Sequence, residues 1–331
     1  MTTVLITGAG GAAIPGLINR LRTDGYRVLA ADMDRHAVGL FLADAGFIIP
    51  PGGAPDFVPT LRRICHEEKV EVVVPLVDEE LTDFWDLAGD GVHIMLPRRE
   101  FITLCLDKYA LAQRLAGCGI RAPRTGLASE GVGAAMRFPL VVKPRTGRGS
   151  RGVELLESNE ALRSYLGGSP YGVDELILQE YISGPEFTVS VVAWRDGEVQ
   201  AVVPKEVISK RGITRLAVTR RNDRIDRLCR DIQSHLRADG PFNVQLRIDE
   251  NSGEPVPFEI NPRFSTTVSL TIAAGIDEVG ALIKQAVSGS DSCHCDQWRE
   301  GVVLIRQTLD EFIAESDFQT RSDHIRGVKG Q

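Results

Sequence analysis

The apolar positions open with Val4-Leu5-Ile6, pause at Gly8-Ala9-Gly10-Gly11, and resume at Ile14, Leu17, Ile18 and Leu21 before a second run at Val28-Leu29-Ala30-Ala31. A short apolar run, a glycine turn, a helical period and another short run predict a βαβ unit. A second helix is predicted where Phe57, Leu61, Ile64 and Cys65 share a face, with Asp56 placed to cap it, and it leads into a buried strand over Val70 to Pro75. Strands alternating with helices predict a parallel, Rossmann-like sheet over residues 1–97.

From about residue 139 the pattern changes. Strands at Leu140 to Lys143, Val153 to Leu156 and Leu176 to Gln179 follow one another through turns, and Phe187 to Val192 and Val199 to Val203 flank an Asp196-Gly197 hairpin turn. This half is predicted to be antiparallel. A helix carrying Ile225, Leu228, Cys229, Ile232 and Leu236 precedes two more strands, Val244 to Glu250 and Pro255 to Ile260, and a last helix carries Val279, Leu282, Ile283, Ala286 and Val287. The polar tail from Gln319 is expected to be disordered.

Composition narrows the class. The 331 residues are 43% apolar and 25% charged, which suits a folded chain of two domains or one composite body. With 38 Lys and Arg against 45 Asp and Glu, the net charge of −7 argues against a general nucleic-acid binder. No apolar run reaches membrane-spanning length, and Met1-Thr2-Thr3 leads straight into a strand, so the expectation is a cytoplasmic protein without membrane contact. The cysteines are scattered apart from Cys293 and Cys295 and read as reduced thiols; Cys293-His294-Cys295 has no second ligand pair and is assigned no zinc.

The chemistry concentrates in Asn243-Val244-Gln245 and Glu259-Ile260-Asn261-Pro262-Arg263. A three-residue turn Asn251-Ser252-Gly253 would pair Glu250 with Glu254, which puts Gln245 opposite Glu259 and Asn261 on the same face. A carboxylate between amide oxygens suits Mg²⁺, and the arginine beside them can clamp a transferring phosphoryl group. A second constellation is Lys143 at the end of a strand, followed by Thr146-Gly147-Arg148-Gly149-Ser150-Arg151-Gly152, a point charge beside a loop of backbone N–H groups that can flap over phosphates. A third is Gln179-Glu180-Tyr181-Ile182, a strand end whose backbone can read adenine, with Glu186 near enough for ribose hydroxyls. Weaker substrate candidates are Glu80 in the run Asp78-Glu79-Glu80, Arg211 among Lys205, Lys210 and Arg215, and Ser265 and Thr266 directly after the metal strand.

These residues resemble the ATP-grasp ligases, most closely the synthetase units of the carbamoyl-phosphate synthase large subunit and their stand-alone relatives. The resemblance implies an α/β chain with a Rossmann-like domain over 1–97, a linker and small lobe with the glycine-rich flap over 98–185, a large lobe with the metal site over 186–318, and the polar tail over 319–331. It implies ATP with two Mg²⁺ ions, Mn²⁺ being an admissible substitute, held by Gln245, Glu259 and Asn261. Arg263 and Lys143 would act on the transferring phosphate, Lys108 and Lys143 on the ATP phosphates, Glu180 and Ile182 on adenine, and Glu186 on ribose. The implied reaction joins a small-molecule carboxylate to an amine through an acyl phosphate, in a chain that has one synthetase unit and is expected to form a homodimer. Two alternatives remain open at this level. The turn Gly8-Ala9-Gly10-Gly11-Ala12-Ala13 with Asp32 beyond it satisfies a nicotinamide-dinucleotide fingerprint and would suit an oxidoreductase, and a non-catalytic nucleotide-binding protein would keep the same residues.

Overall fold

A computed structural model describes every residue except 88–90, 134–135, 291–296, 308–309, 311, 313, 324 and 327–331. The N-terminal part runs β1 (Thr3–Thr7), α1 (Ile14–Thr23), β2 (Arg27–Asp32), α2 (Val38–Leu42), β3 (Ala45–Ile48), α3 (Phe57–Glu68), β4 (Val72–Val74) and β5 (His93–Ile94). The linking helices α4 (Arg99–Leu106) and α5 (Lys108–Gly117) precede β6 (Thr125–Leu127), β7 (Leu140–Pro144), β8 (Glu154–Leu156), α6 (Asn159–Gly168) and β9 (Leu176–Glu180). There follow β10 (Glu186–Ala193), β11 (Val199–Arg211), β12 (Ile213–Thr219), α7 (Asp223–Leu236), β13 (Phe242–Ile248), β14 (Pro255–Asn261), α8 (Val268–Ala274), α9 (Glu278–Ser288), β15 (Val303–Ile305), α10 (Glu315–Asp323) and β16 (Ile325–Arg326).

Three sheets result. The first is parallel, in the order β16-β3-β2-β1-β4-β5; the second is antiparallel, β14-β13-β10-β11-β12-β15; the third is β6-β9-β7-β8, also antiparallel. The α/β class with a parallel opening and antiparallel continuation is therefore what the chain adopts. The side of α1 that carries Ile14, Leu17, Ile18 and Leu21 is buried in one core with Val192, Phe264, Leu282 and Ile283, so the first sheet and the second share hydrophobic packing. Arg195 adds polar contacts across the same junction, donating from Nη1 to the Leu96 carbonyl (2.9 Å) and from Nη2 to that of Ile94 (3.0 Å).

The structure corrects several expectations. Near the end of the chain α10 and β16 are formed: Phe318 stacks on Phe41 at 5.4 Å between ring centroids, Ile325 packs on the cluster of Ala9, Ala30, Ala37 and Leu40, and Arg326 pairs with Glu68, while residues 324 and 327–331 of the expected tail lie outside the described residues. A polar composition hid three anchoring side chains. β11 runs on to Arg211 and β12 returns from Ile213, where the charged stretch gave no alternating apolar signal. Asp56 sits at the start of α3 without a side-chain capping bond.

The hairpin of β13 and β14 pairs Gln245 with Glu259 as expected, by a different route. The turn is one residue longer than predicted, since Asp249 N–H donates to the Glu254 carbonyl (3.0 Å) and Glu250 is left in the loop. A bulge between Gln245 and Leu246 on one strand, opposite the extra residue Phe258 on the other, restores the register beyond it. Gly253 is left-handed at φ +69°, as its place at the end of the turn requires.

Candidate active site

A cavity of about 540 Å³ lies between the second and third sheets, lined by Lys108, Lys143, Thr146, Gly147, Gly149, Ser150, Gln179, Glu180, Tyr181, Ile182, Glu186, Gln245 and Glu259 among others. The fold thus gathers on one surface three segments that are widely separated in the sequence. Lys143 enters from the end of β7, is 4% exposed, and donates to the Phe258 carbonyl at 3.4 Å. Burial pushes its pKa down to about 8, with the nearby Glu259 pulling the other way.

Lys108 opens α5, whose start is capped by Asp107 accepting from the N–H groups of Tyr109 and Ala110. Its Nζ donates to the Gly147 carbonyl at 2.6 Å. The glycine-rich loop is fastened on three sides: by this bond, by the Arg145–Asp107 ion pair at 2.6 Å, and by Arg148 reaching Glu79 of the first domain at 2.5 Å. Gly152 ends the loop beside the cavity, left-handed at φ +65°.

At the other wall Glu186 is ion-paired twice, with Lys210 at 2.8 Å and Arg247 at 3.1 Å, and Arg247 also lies over the Tyr181 ring. Lys210 and Arg247 line the cavity, whereas Arg211, the predicted neighbour, is exposed on the hairpin end and does not. Lys108, Lys143, Arg148, Arg151, Lys210 and Arg247 give the cavity the cationic lining a polyphosphate needs.

The donor set fits Mg²⁺. Gln245 and Glu259 lie directly opposite on neighbouring strands and Asn243 opposite Asn261, so all four side chains share one face. Asn261, 5% exposed, donates from Nδ2 to Asn243 Oδ1 at 3.3 Å, which leaves its carbonyl oxygen for a cation. These are hard oxygen donors with room for phosphate oxygens and water beside them. Among the described residues no cluster of three or more His, Cys, Asp or Glu offers a competing metal site, and Cys293, His294 and Cys295 lie outside the described residues.

Arg263 is 7% exposed, behind the cavity wall, and its Nε donates to Asp78 of the first domain. Ser265 is buried and shares a hydrogen bond with Thr267 (2.8 Å), while Thr266 is exposed and its carbonyl accepts from Arg306 (2.8 Å). Glu80, expected as a substrate contact, is 5% exposed, accepts from the Thr7 hydroxyl at 2.7 Å, and is not among the residues that line this cavity. Sequence reasoning named Asp78 and Asn243 within their motifs without giving either a role of its own and gave none to Arg247; their partners lie from 18 to 185 residues away. In the glycine turn of the first domain, Asp32 accepts from Gly10 N–H (2.8 Å), so the acid a dinucleotide ribose would need braces the turn itself.

Residues 172–307 match the family described as ATP-grasp in the biosynthetic pathway with Ter operon, and residues 4–87 match the PylC-like N-terminal domain. The chain thus carries an ATP-grasp domain over residues 172–307 behind a PylC-like N-terminal domain over residues 4–87. It is similar to a carbamoyl-phosphate synthase of Methanobrevibacter smithii, 22% identical over 288 residues that cover 80% of this chain and 76% of that protein. It is 25% identical to a carbamoyl phosphate synthase large chain of Xylella fastidiosa over 83% of its own length, but spans only 28% of that chain. The ADP complex of N5-carboxyaminoimidazole synthetase from Staphylococcus aureus shares the fold at a TM-score of 0.71 and 18% identity, covering 88% of this chain and 78% of that one. The nicotinamide alternative has no support among these relatives.

Proposed function

We propose that the protein is an ATP-dependent, ADP-forming ligase that joins a small-molecule carboxylate to an amine. The observation that carries this reading is the convergence of the Gln245–Glu259 pair and the buried Lys143 on one cavity. Adenine would lie on the backbone of Glu180 and Ile182, with Gln179 and Tyr181 on the same edge, and the ribose would meet Glu186. Its phosphates would run past Lys108, Lys143 and the loop from Thr146 to Gly152, toward Arg263.

Two Mg²⁺ ions, or Mn²⁺ in their place, would be held by Gln245, Glu259 and Asn261 and would neutralise charge on the phosphate oxygens. Arg263 would hold the γ-phosphoryl group as it passes to a carboxylate oxygen, its bond to ADP breaking as the bond to the carboxylate forms. The amine nitrogen would then attack the acyl carbon and expel phosphate, losing a proton to solvent. Closure of the glycine-rich loop would keep water from the acyl phosphate. Ser265, Thr266 and Arg211 are retained as acceptor-side candidates. The proposal extends to a cytoplasmic homodimer: no described helix is long and apolar enough to cross a membrane, and Cys65, Cys105 and Cys229 are buried free thiols.

The test is ADP release from Mg-ATP with carboxylates and amines supplied singly and in pairs, with products weighed by mass spectrometry. A pair that stimulates release and yields a product one water lighter than its sum is the expected result. Glu259→Gln should cut that release by roughly 100-fold or more while the protein melts as the wild type does; turnover at the wild-type rate would remove the metal assignment.

A further inference from the structure

We infer that Asp78, from the N-terminal domain, is a positioning residue for the phosphoryl-binding arginine of the large lobe. The inference rests on the role proposed above for Arg263 and assigns a second residue to it. Arg263 leaves the end of β14 and its side chain is 9% exposed; Asp78 begins the single turn after β4, and its side chain is 7% exposed. The two residues are 185 apart in sequence and form an ion pair through Arg263 Nε and Asp78 Oδ1.

A guanidinium has five donors in a fixed plane, so what its edges touch decides what remains. Nε is spent on Asp78, and Nη1 donates to the Phe264 carbonyl at 3.2 Å. Among the described residues Nη2 donates to no protein group, and it is not a buried unpartnered atom, so it is the arm left for the phosphoryl role proposed above, from a position behind the cavity wall. Without the carboxylate, the side chain would keep only the carbonyl of its own neighbour as an anchor, and the planar group could swing about the single bonds of its stem.

The other acids of the same turn do not share this task. Glu79 reaches Arg148 on the glycine-rich loop and Glu80 accepts from Thr7. The neighbouring Asn243 fixes the backbone on the other side, donating from Nδ2 to the Arg263 carbonyl at 3.0 Å. Main chain and side chain of Arg263 are thus held from opposite domains, one by the sheet and the other by Asp78. The N-terminal domain thereby enters the catalytic geometry of a site whose nucleotide-binding residues all lie in the two other lobes.

The experiment compares wild type, Asp78→Asn and Asp78→Glu in melting shifts with Mg-ADP alone and with Mg-ADP plus aluminium fluoride, which mimics the transferring phosphoryl group and needs no knowledge of the acceptor. The wild type should show a Mg-ADP shift and a further increment with fluoride. Asp78→Asn should keep the Mg-ADP shift, lose most of the fluoride increment, and lower substrate-stimulated kcat at least tenfold with the ATP KM changed less than threefold. Asp78→Glu, which keeps the charge, should recover part of both losses. A full fluoride increment and wild-type kcat in Asp78→Asn would overturn the inference while leaving the ligase reading in place; so would equal loss of the Mg-ADP shift, which marks a merely structural role. Absence of any fluoride increment in the wild type would instead remove the phosphoryl site, and this inference with it.

Discussion

Three consecutive acids in one turn meet three different fates. Asp78 pairs with Arg263, Glu79 with Arg148, and Glu80 turns into the N-terminal domain. Burial pushes Glu80 up to about 7 from the ordinary 4.5, while the Thr7 hydroxyl and the charge of Arg148 pull it down. Since its folded pKa exceeds the unfolded one, folding takes up a proton between these values. The stabilisation is fully present below about pH 4.5 and is lost as pH rises through about 7. Glu80→Gln can keep the Thr7 hydrogen bond and cannot ionise. It should therefore gain on the wild type by about 2–3 kcal/mol between roughly pH 4.5 and 8.5, measured by urea unfolding at both. An offset that does not change with pH would mean that Glu80 titrates as it would in water. The run of acids was visible in the sequence as a cluster near a strand end, but not which of them would meet a cation. That depends on the rotation of a short turn against a strand 185 residues away.

At the scale of elements, the β13–β14 hairpin was legible because alternation and a turn glycine constrain pairing strongly. The predicted turn was one residue short and the predicted strand lacked its bulge, and the two differences cancel at Gln245 and Glu259. The same face continues across the sheet through Thr188 to Lys205, a fully buried lysine that donates to Ser190 (2.7 Å) and Thr271 (2.8 Å). Ser190 in turn donates to Glu278 at 2.9 Å, at the start of α9. Lys205 was visible in the sequence only as one of several charges after a hairpin. Its role in fastening α8 and α9 to the sheet comes from groups 15 to 88 residues apart. Lys205→Met should cost about 3–5 kcal/mol by leaving the buried Glu278 carboxylate without its cation. Adding Glu278→Gln should recover at least about 1 kcal/mol in a denaturation cycle. Strict additivity would show the two charges to be independent. Gly184, at φ +123°, would place a Cβ 1.9 Å from the Ile248 carbonyl, so Gly184→Ala should lose about 2 kcal/mol or more by the same measurement.

For the whole molecule, the chain returns to its first sheet at the end, where Ile325 and Arg326 pair with Gly46 and Phe47. A chain stopped after Ala314 should melt about 2–5 °C lower yet keep its Mg-ATP-induced shift, because these contacts lie outside the cavity proposed for the nucleotide. Loss of the nucleotide shift would tie the tail to the active site. The sequence by itself determined the parallel opening, the antiparallel continuation, the pairing of Gln245 with Glu259, and the segments that supply the cations and the glycine-rich loop of the cavity. Those features are written in local periodicity and turn chemistry, which act over a few residues. Only the tertiary structure decided that Asp78 meets Arg263, that Lys210 and Arg247 bracket Glu186, that Glu80 accepts from Thr7, and that Ile325 and Arg326 pair with the first sheet. Each of these needs two distant surfaces brought within hydrogen-bond reach, and the free energy that selects such contacts comes from packing between elements rather than from any pattern along one of them.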